Sequence, residues 1–127
     1  MSQLNVNTLN NAADSGSDIS VSNLGSSQCR AWASFTITAG TPAIDDEFNV
    51  SSITDDGNGL YTVNFTSNMN DADYCVVGTS KPTSSYLNNI MLRWNVAQTT
   101  SAFALFAGSY NTIPADCLEA HVAVFGS

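Results

Sequence analysis

Residues 29–65 read CRAWASFTITAGTPAIDDEFNVSSITDDGNGLYTVNF, and this stretch decides the fold. Phe48 and Val50, then Ile53, lead into Asp55-Asp56-Gly57-Asn58-Gly59. Tyr61, Val63 and Phe65 follow at every second position. Two alternating apolar runs around a short Asp/Asn/Gly cluster predict a β-hairpin over residues 48–65. The glycines and Asn58 take positive φ at little cost, which lets a tight turn close. The apolar phase slips by one residue across Ser51-Ser52. A strand with one buried face absorbs such a slip through a bulge, which is expected there. The first half predicts another strand, with Ala31, Ala33, Phe35 and Ile37 on one face and Trp32, Ser34, Thr36 and Thr38 on the other. Residues 40–47 (GTPAIDDE) read as a turn-rich, acidic connection.

Further strands are expected on either side of short polar loops. Residues 66–73 form a loop from which Met69 packs inward, and residues 74–79 (YCVVGT) form a short buried strand. Ile90, Leu92, Trp94 and Val96 alternate with polar residues, which predicts a strand containing Trp94. Residues 102–107 (AFALFA) are apolar on both faces. A helix is the alternative, but the run is short and bounded by turn residues, so a strand is expected. Such a strand requires a central position in a sheet or burial against another subunit. The last strand runs to Phe125, with Leu118, Ala120, Val122 and Val124 on one face. Seven or eight strands without a convincing helix make an all-β protein, an antiparallel β-sandwich of jelly-roll-like type.

Residues 1–28 are different. They hold no aromatic and no basic residue, only two small alternating patches, Leu4, Val6 and Leu9, then Ile19, Val21 and Leu24. A frayed tail is one reading. The other is an extended N-terminal arm for attachment or oligomerisation, its apolar residues too few to bury alone and covered by a neighbouring subunit. The alternation favours the arm, so the expected division is an arm at 1–28 and a sandwich domain at 29–127.

Composition excludes several functions. The 127 residues carry 11 Asp and Glu against three Lys and Arg, a net charge of −8. Phosphate backbones need clustered basic residues, so nucleic acid is not an expected partner. Acidity also disfavours anionic membranes. No basic leader precedes an apolar run at the N-terminus, and no run approaches the ~18 apolar residues of a membrane span, so neither is expected. Charged residues are 11% of the chain, against about 25% in an ordinary globular domain. Ser, Thr and Asn supply the polarity, which suits sheet faces. Cys29, Cys75 and Cys117 are odd in number and lack CxxC spacing. Three reduced core thiols are expected, with one disulfide as the alternative.

No residues with catalytic spacing emerge. His121 is the sole histidine. Cys117, four residues away on a strand, is about 13 Å distant, too far for a nucleophile and its base. A place on a sheet face or at a subunit contact is expected instead. The Asp55–Gly59 cluster lacks calcium-loop spacing, so no metal or cofactor is expected. Trp32 and Trp94 read as core residues. Tyr86 and Tyr110 lie in polar loops, residues 80–89 and 108–116, and are the candidates for ligand contact.

Cys29-Arg30-Ala31-Trp32-Ala33-Ser34-Phe35 followed by residues 48–65, FNVSSITDDGNGLYTVNF, resembles a module of bacteriophage tail-fibre and related virion proteins, common in phages of aquatic bacteria and cyanobacteria. The run Met69-Asn70-Asp71-Ala72-Asp73-Tyr74 and the opening SQLNVNTL are similar to pieces of the same family. The resemblance covers residues 28–80 well and the remainder in style. It implies a structural protein of the virion, not an enzyme, that assembles as a homotrimer and contacts other virion proteins through its arm. It also implies a short tail fibre or tail-associated protein that attaches to a host-surface glycan. Almost no shaft separates the opening piece from the module, so capsid decoration, as a cement protein on the head, is the alternative.

Overall fold

The structure, a computed structural model, describes residues 28–83, 89–108 and 113–126. They form eight strands: β1 (Cys29–Thr38), β2 (Thr41–Phe48), β3 (Val50–Gly57), β4 (Leu60–Phe65), β5 (Cys75–Lys81), β6 (Asn89–Leu92), β7 (Ala102–Gly108) and β8 (Glu119–Phe125). Two four-stranded sheets result, in the orders β2-β1-β8-β5 and β3-β4-β7-β6, and every pairing is antiparallel. The all-β sandwich expected from the strand pattern is the fold. The arm residues Leu4, Val6, Leu9, Ile19 and Val21, and the loop residues Tyr86 and Tyr110, lie outside the described residues.

The core lies between the sheets, and alternation dictates who enters it. Ala31, Ala33, Phe35 and Ile37 of β1 are buried as a set, as are Tyr61, Val63 and Phe65 of β4 and Ala120, Val122 and Val124 of β8. Phe35 meets Tyr61 edge-on across the sheets, with ring centroids 5.9 Å apart. Phe65, Tyr74 and Phe103 form a second aromatic group, adding to the area they bury. The Tyr74 hydroxyl shares its proton between the carbonyls of Thr99 and Ala102, at 2.9 and 3.0 Å. Met69 packs inward as expected. β7 pairs with β4 on one side and β6 on the other, so its two-faced apolarity reflects a central position.

The expected hairpin is real over residues 50–65, but Phe48 belongs to β2 of the other sheet; the slip across Ser51-Ser52 is a register shift between Val50 and Ser52. Several other expectations are corrected. Residues 41–48 are a strand rather than a connection, paired with β1 through the turn at Ala39-Gly40. β2 is an edge strand, where Pro42 and the acidic run Asp45-Asp46-Glu47 are tolerated and discourage pairing with a stranger. Residues 74–79 are not a buried strand: β5 is an edge, and Cys75 and Val77 face solvent. β6 stops at Leu92, and Trp94 lies in the turn beyond it, 93% exposed. Leu118 precedes β8 and is exposed, while Cys117 beside it is buried.

A single residue, Asn49, carries the chain from one sheet to the other. It sits at φ 56°, a conformation asparagine tolerates better than most side chains. Its Nδ2 donates to the carbonyls of Arg30 (3.2 Å) and Ser67 (3.1 Å), and its Oδ1 accepts from the Ser67 amide (2.7 Å). Asn49→Ala removes all three bonds and leaves alanine at a positive φ that it adopts less readily than asparagine, so the expected loss is about 2 kcal/mol in urea unfolding. A loss within about 0.5 kcal/mol, the scatter of ordinary surface substitutions, would show that the corner does not depend on this side chain.

Candidate interaction surface

The register of the first sheet builds a surface on its outer side. Directly opposed residues of an antiparallel pair project from the same face. Trp32 opposes Phe48 on β2 and Ala123 on β8, and Ala123 opposes Val77 on β5. Phe48, Trp32, Ala123 and Val77 therefore form one row across all four strands, with Phe48 53% and Val77 48% exposed. Phe125 lies alongside, flanked by Cys29 and Cys75. Further along the strands the face becomes polar: Asp46, Ser34, His121 and Thr79 form the next row, then Thr36, Glu119 and Lys81.

Trp32 is thus no core residue. It is half-buried among its outer-face neighbours. His121 lies on the same face, 3.9 Å from Glu119, whose other oxygen pairs with Lys81 at 2.8 Å. The hydrogen bond from Lys81 holds the Glu119 carboxyl below its ordinary range.

All three cysteines are unpaired, and only Cys117 is fully buried. Cys29 and Cys75 flank Phe125 from opposite sides. Two strand spacings, about 10 Å, separate them, beyond the ~7 Å limit for a disulfide without backbone movement.

Beside this row is a cavity of about 450 Å³, lined by Cys29, Arg30, Glu47, Phe48, Asn49 and Met69 among others. Its Glu47 carboxylate already accepts from the Val50 amide at 3.0 Å.

The opposite end of the sandwich is built differently. The turn at Asn58-Gly59 is latched to residues 114–116. Asn58 Nδ2 donates to the Pro114 carbonyl (3.2 Å), and Asn58 Oδ1 accepts from the Asp116 amide (3.1 Å). Asp116 Oδ1 accepts from both the Gly59 amide and the Tyr61 hydroxyl, each at 2.7 Å. Burial, then this carboxylate, pushes the Tyr61 hydroxyl well above its ordinary pKa. Asp116 escaped the sequence reading because its partners are more than fifty positions away.

The other acidic residues of the turn are also engaged. Asp55 accepts from the Gly57 amide (2.9 Å), and Asp56 accepts from Thr62 (2.6 Å) and from Arg93 (3.0 Å). Among the described residues no three His, Cys, Asp or Glu side chains converge as a metal site.

The connections that carry Tyr86 and Tyr110 leave from this latched end. Their flanks, Asn89 and Gly108, are directly paired. Cys29, Phe48, Cys75 and Phe125 mark the other end. The comparisons with protein families, with curated proteins and with solved structures returned no match.

Proposed function

We propose that this chain is a structural protein of a bacteriophage virion, a short tail fibre or tail-associated protein that self-assembles and mediates attachment to a host-surface glycan. The observation that carries the assembly part is the outer-face row of Phe48, Trp32, Ala123 and Val77, exposed at its two ends and half-buried between them. Contiguous apolar surface on a sheet that already has a core beneath it is surface to be covered by another protein. The resemblance of residues 28–80 supplies the virion. The polarity of the domain suits attachment: residues 1–28 join it at one end, and the connections bearing Tyr86 and Tyr110 leave from the other. Aromatic rings on such connections would stack on sugar rings.

Head decoration is the second reading, favoured by one feature. The apolar surface is a flat sheet face rather than a loop tip, which suits packing on a protein lattice. Quantitative mass spectrometry of purified particles tests both. A copy number of tail order is expected; one matching the capsid subunits would move the protein to the head, and its absence from particles would overturn the reading. Tyr86→Ala with Tyr110→Ala should slow adsorption to host cells, and unchanged adsorption would remove the glycan from those connections.

A further inference from the structure

We infer that the outer face of the β2-β1-β8-β5 sheet is an interface between two copies of this chain, related by a two-fold axis parallel to the strands and passing between β1 and β8. The inference rests on the self-assembly part of the reading above, and gives it a two-fold contact in place of the three-fold one implied by the resemblance.

The argument is the order of side chains across the row. Read from β2 to β5 it runs Phe48, Trp32, Ala123, Val77, two bulky aromatics followed by two small residues. An axis along the strands reverses strand order and keeps each row in register. It lays β2 of one copy over β5 of the other, and β1 over β8. Phe48 then meets the second copy's valine at 77, and Trp32 meets its alanine at 123. Large side chains seat on small ones twice over, as an isologous contact requires. An axis across the strands would instead turn the apolar row towards the polar end unless the row itself lay on the axis, and would then stack Trp32 on Trp32 and Phe48 on Phe48.

Charge follows the same operator. Asp46 lies at the β2 edge in the row of Thr79, and Lys81 lies at the β5 edge one row further along. Asp45, which accepts from the Thr36 hydroxyl, lies at the β2 edge near the level of Lys81. The two-fold brings Asp45 of each acidic edge near the other copy's Lys81, at both margins. In a chain of net charge −8, this is where one of its few cations can offset repulsion between copies. Glu119, opposite Thr36, moves with Lys81 through their 2.8 Å pair. The footprint is modest. Four strands about 4.8 Å apart and some seven residues long, at about 3.3 Å each, cover roughly 400 Å² in projection. A standard interface buries about 800 Å² per partner, so this pairing is a concentration-dependent one.

Sedimentation velocity of the full chain over a wide concentration range tests it. A monomer–dimer shift is expected with rising concentration. Val77→Asp buries an unpaired carboxylate in the contact and should weaken dimerisation more than about tenfold. Val77 lies half-exposed on an edge strand, so the variant's unfolding midpoint should stay near that of the parent and separates loss of pairing from loss of fold. Lys81→Glu alone should weaken the dimer, and Asp45→Lys added to it should restore pairing, which only this placement of the edges explains. Labelling of the Cys75 thiol should slow as the dimer forms. A chain that stays monomeric, a trimer, or a dimer indifferent to Val77→Asp would overturn the inference. So would a Cys75 thiol protected in the monomer, which would put residues 1–27 of the same chain on the face. Particle mass spectrometry is independent of all these, so the virion reading and the pairing fail separately.

Discussion

Gly59→Ala is expected to destabilise the domain by about 3 kcal/mol or more. Two causes add. Gly59 has φ +68°, where a Cβ costs roughly 1 kcal/mol. That Cβ would also run into the carbonyl oxygen of Ala107 and the amide nitrogen of Ala115. Both are backbone atoms of the latch and cannot swing aside. The Gly59 amide and carbonyl bind Asp116 and the Ala107 amide, each at 2.7 Å, so relief by shifting the turn would break those bonds. Gly57→Ala is the matched control. Gly57 also has positive φ, 131°, but the added Cβ meets only the end of the Leu60 side chain at 4.0 Å. It should cost about 1–2 kcal/mol. Urea unfolding of both variants decides the matter, and equal losses would show that the latch does not constrain the turn.

The second large effect is a loss of stability in alkali. Burial pushes the Cys117 thiol up from 9.0 to about 11. Its folded pKa exceeds its unfolded one, so the protonated thiol's contribution is complete below pH 9 and disappears as pH rises towards 11. Two pH units at 1.36 kcal/mol each make about 3 kcal/mol. Tyr61 and Tyr74 act in the same direction from pH 10 upward. Burial is the chief cause for both, and Asp116 adds to it at Tyr61. Unfolding midpoints in urea should therefore be level to about pH 9 and fall steeply beyond it. Cys117→Ala removes the first ionisation, so its decline should begin about one unit higher, with the tyrosines. A parent protein whose midpoint holds level to pH 11, or a variant with the same pH profile, would contradict the assignment.

Much of the fold was legible because a strand's period is short. Ala31 to Ile37 and Tyr61 to Phe65 announce a buried face within a few residues each, and the slip at Ser51-Ser52 announces its bulge. Alternation says which residues share a face. It does not say which face is covered. Trp32 falls opposite Phe35 on any reading of β1, and only the placement of the second sheet tells which of the two enters the core. Trp94 continues an alternating run on paper, but the pairing with β7 ends soon after Leu92, and the Arg93 amide makes the last bond, to Ala104. β2 was hidden by its own protection, since Pro42 and three consecutive acids suit an exposed edge and a loop equally well. The candidate surface was not legible at all. Phe48, Trp32, Ala123 and Val77 come from four strands, and register alone brings them into line.

The two ends of the sandwich also set how it answers tension. Gln28 and Cys29 lie at one end of β1, while Lys81, Gly108 and the latch lie at the other. A pull between those ends runs along the strands. The ladder bonds of an antiparallel pair run across them. β1 is held by β2 on one side and β8 on the other, so its bonds are strained together in shear instead of opening one after another like a zip. A tether drawn from that end meets the domain in its stiffest direction.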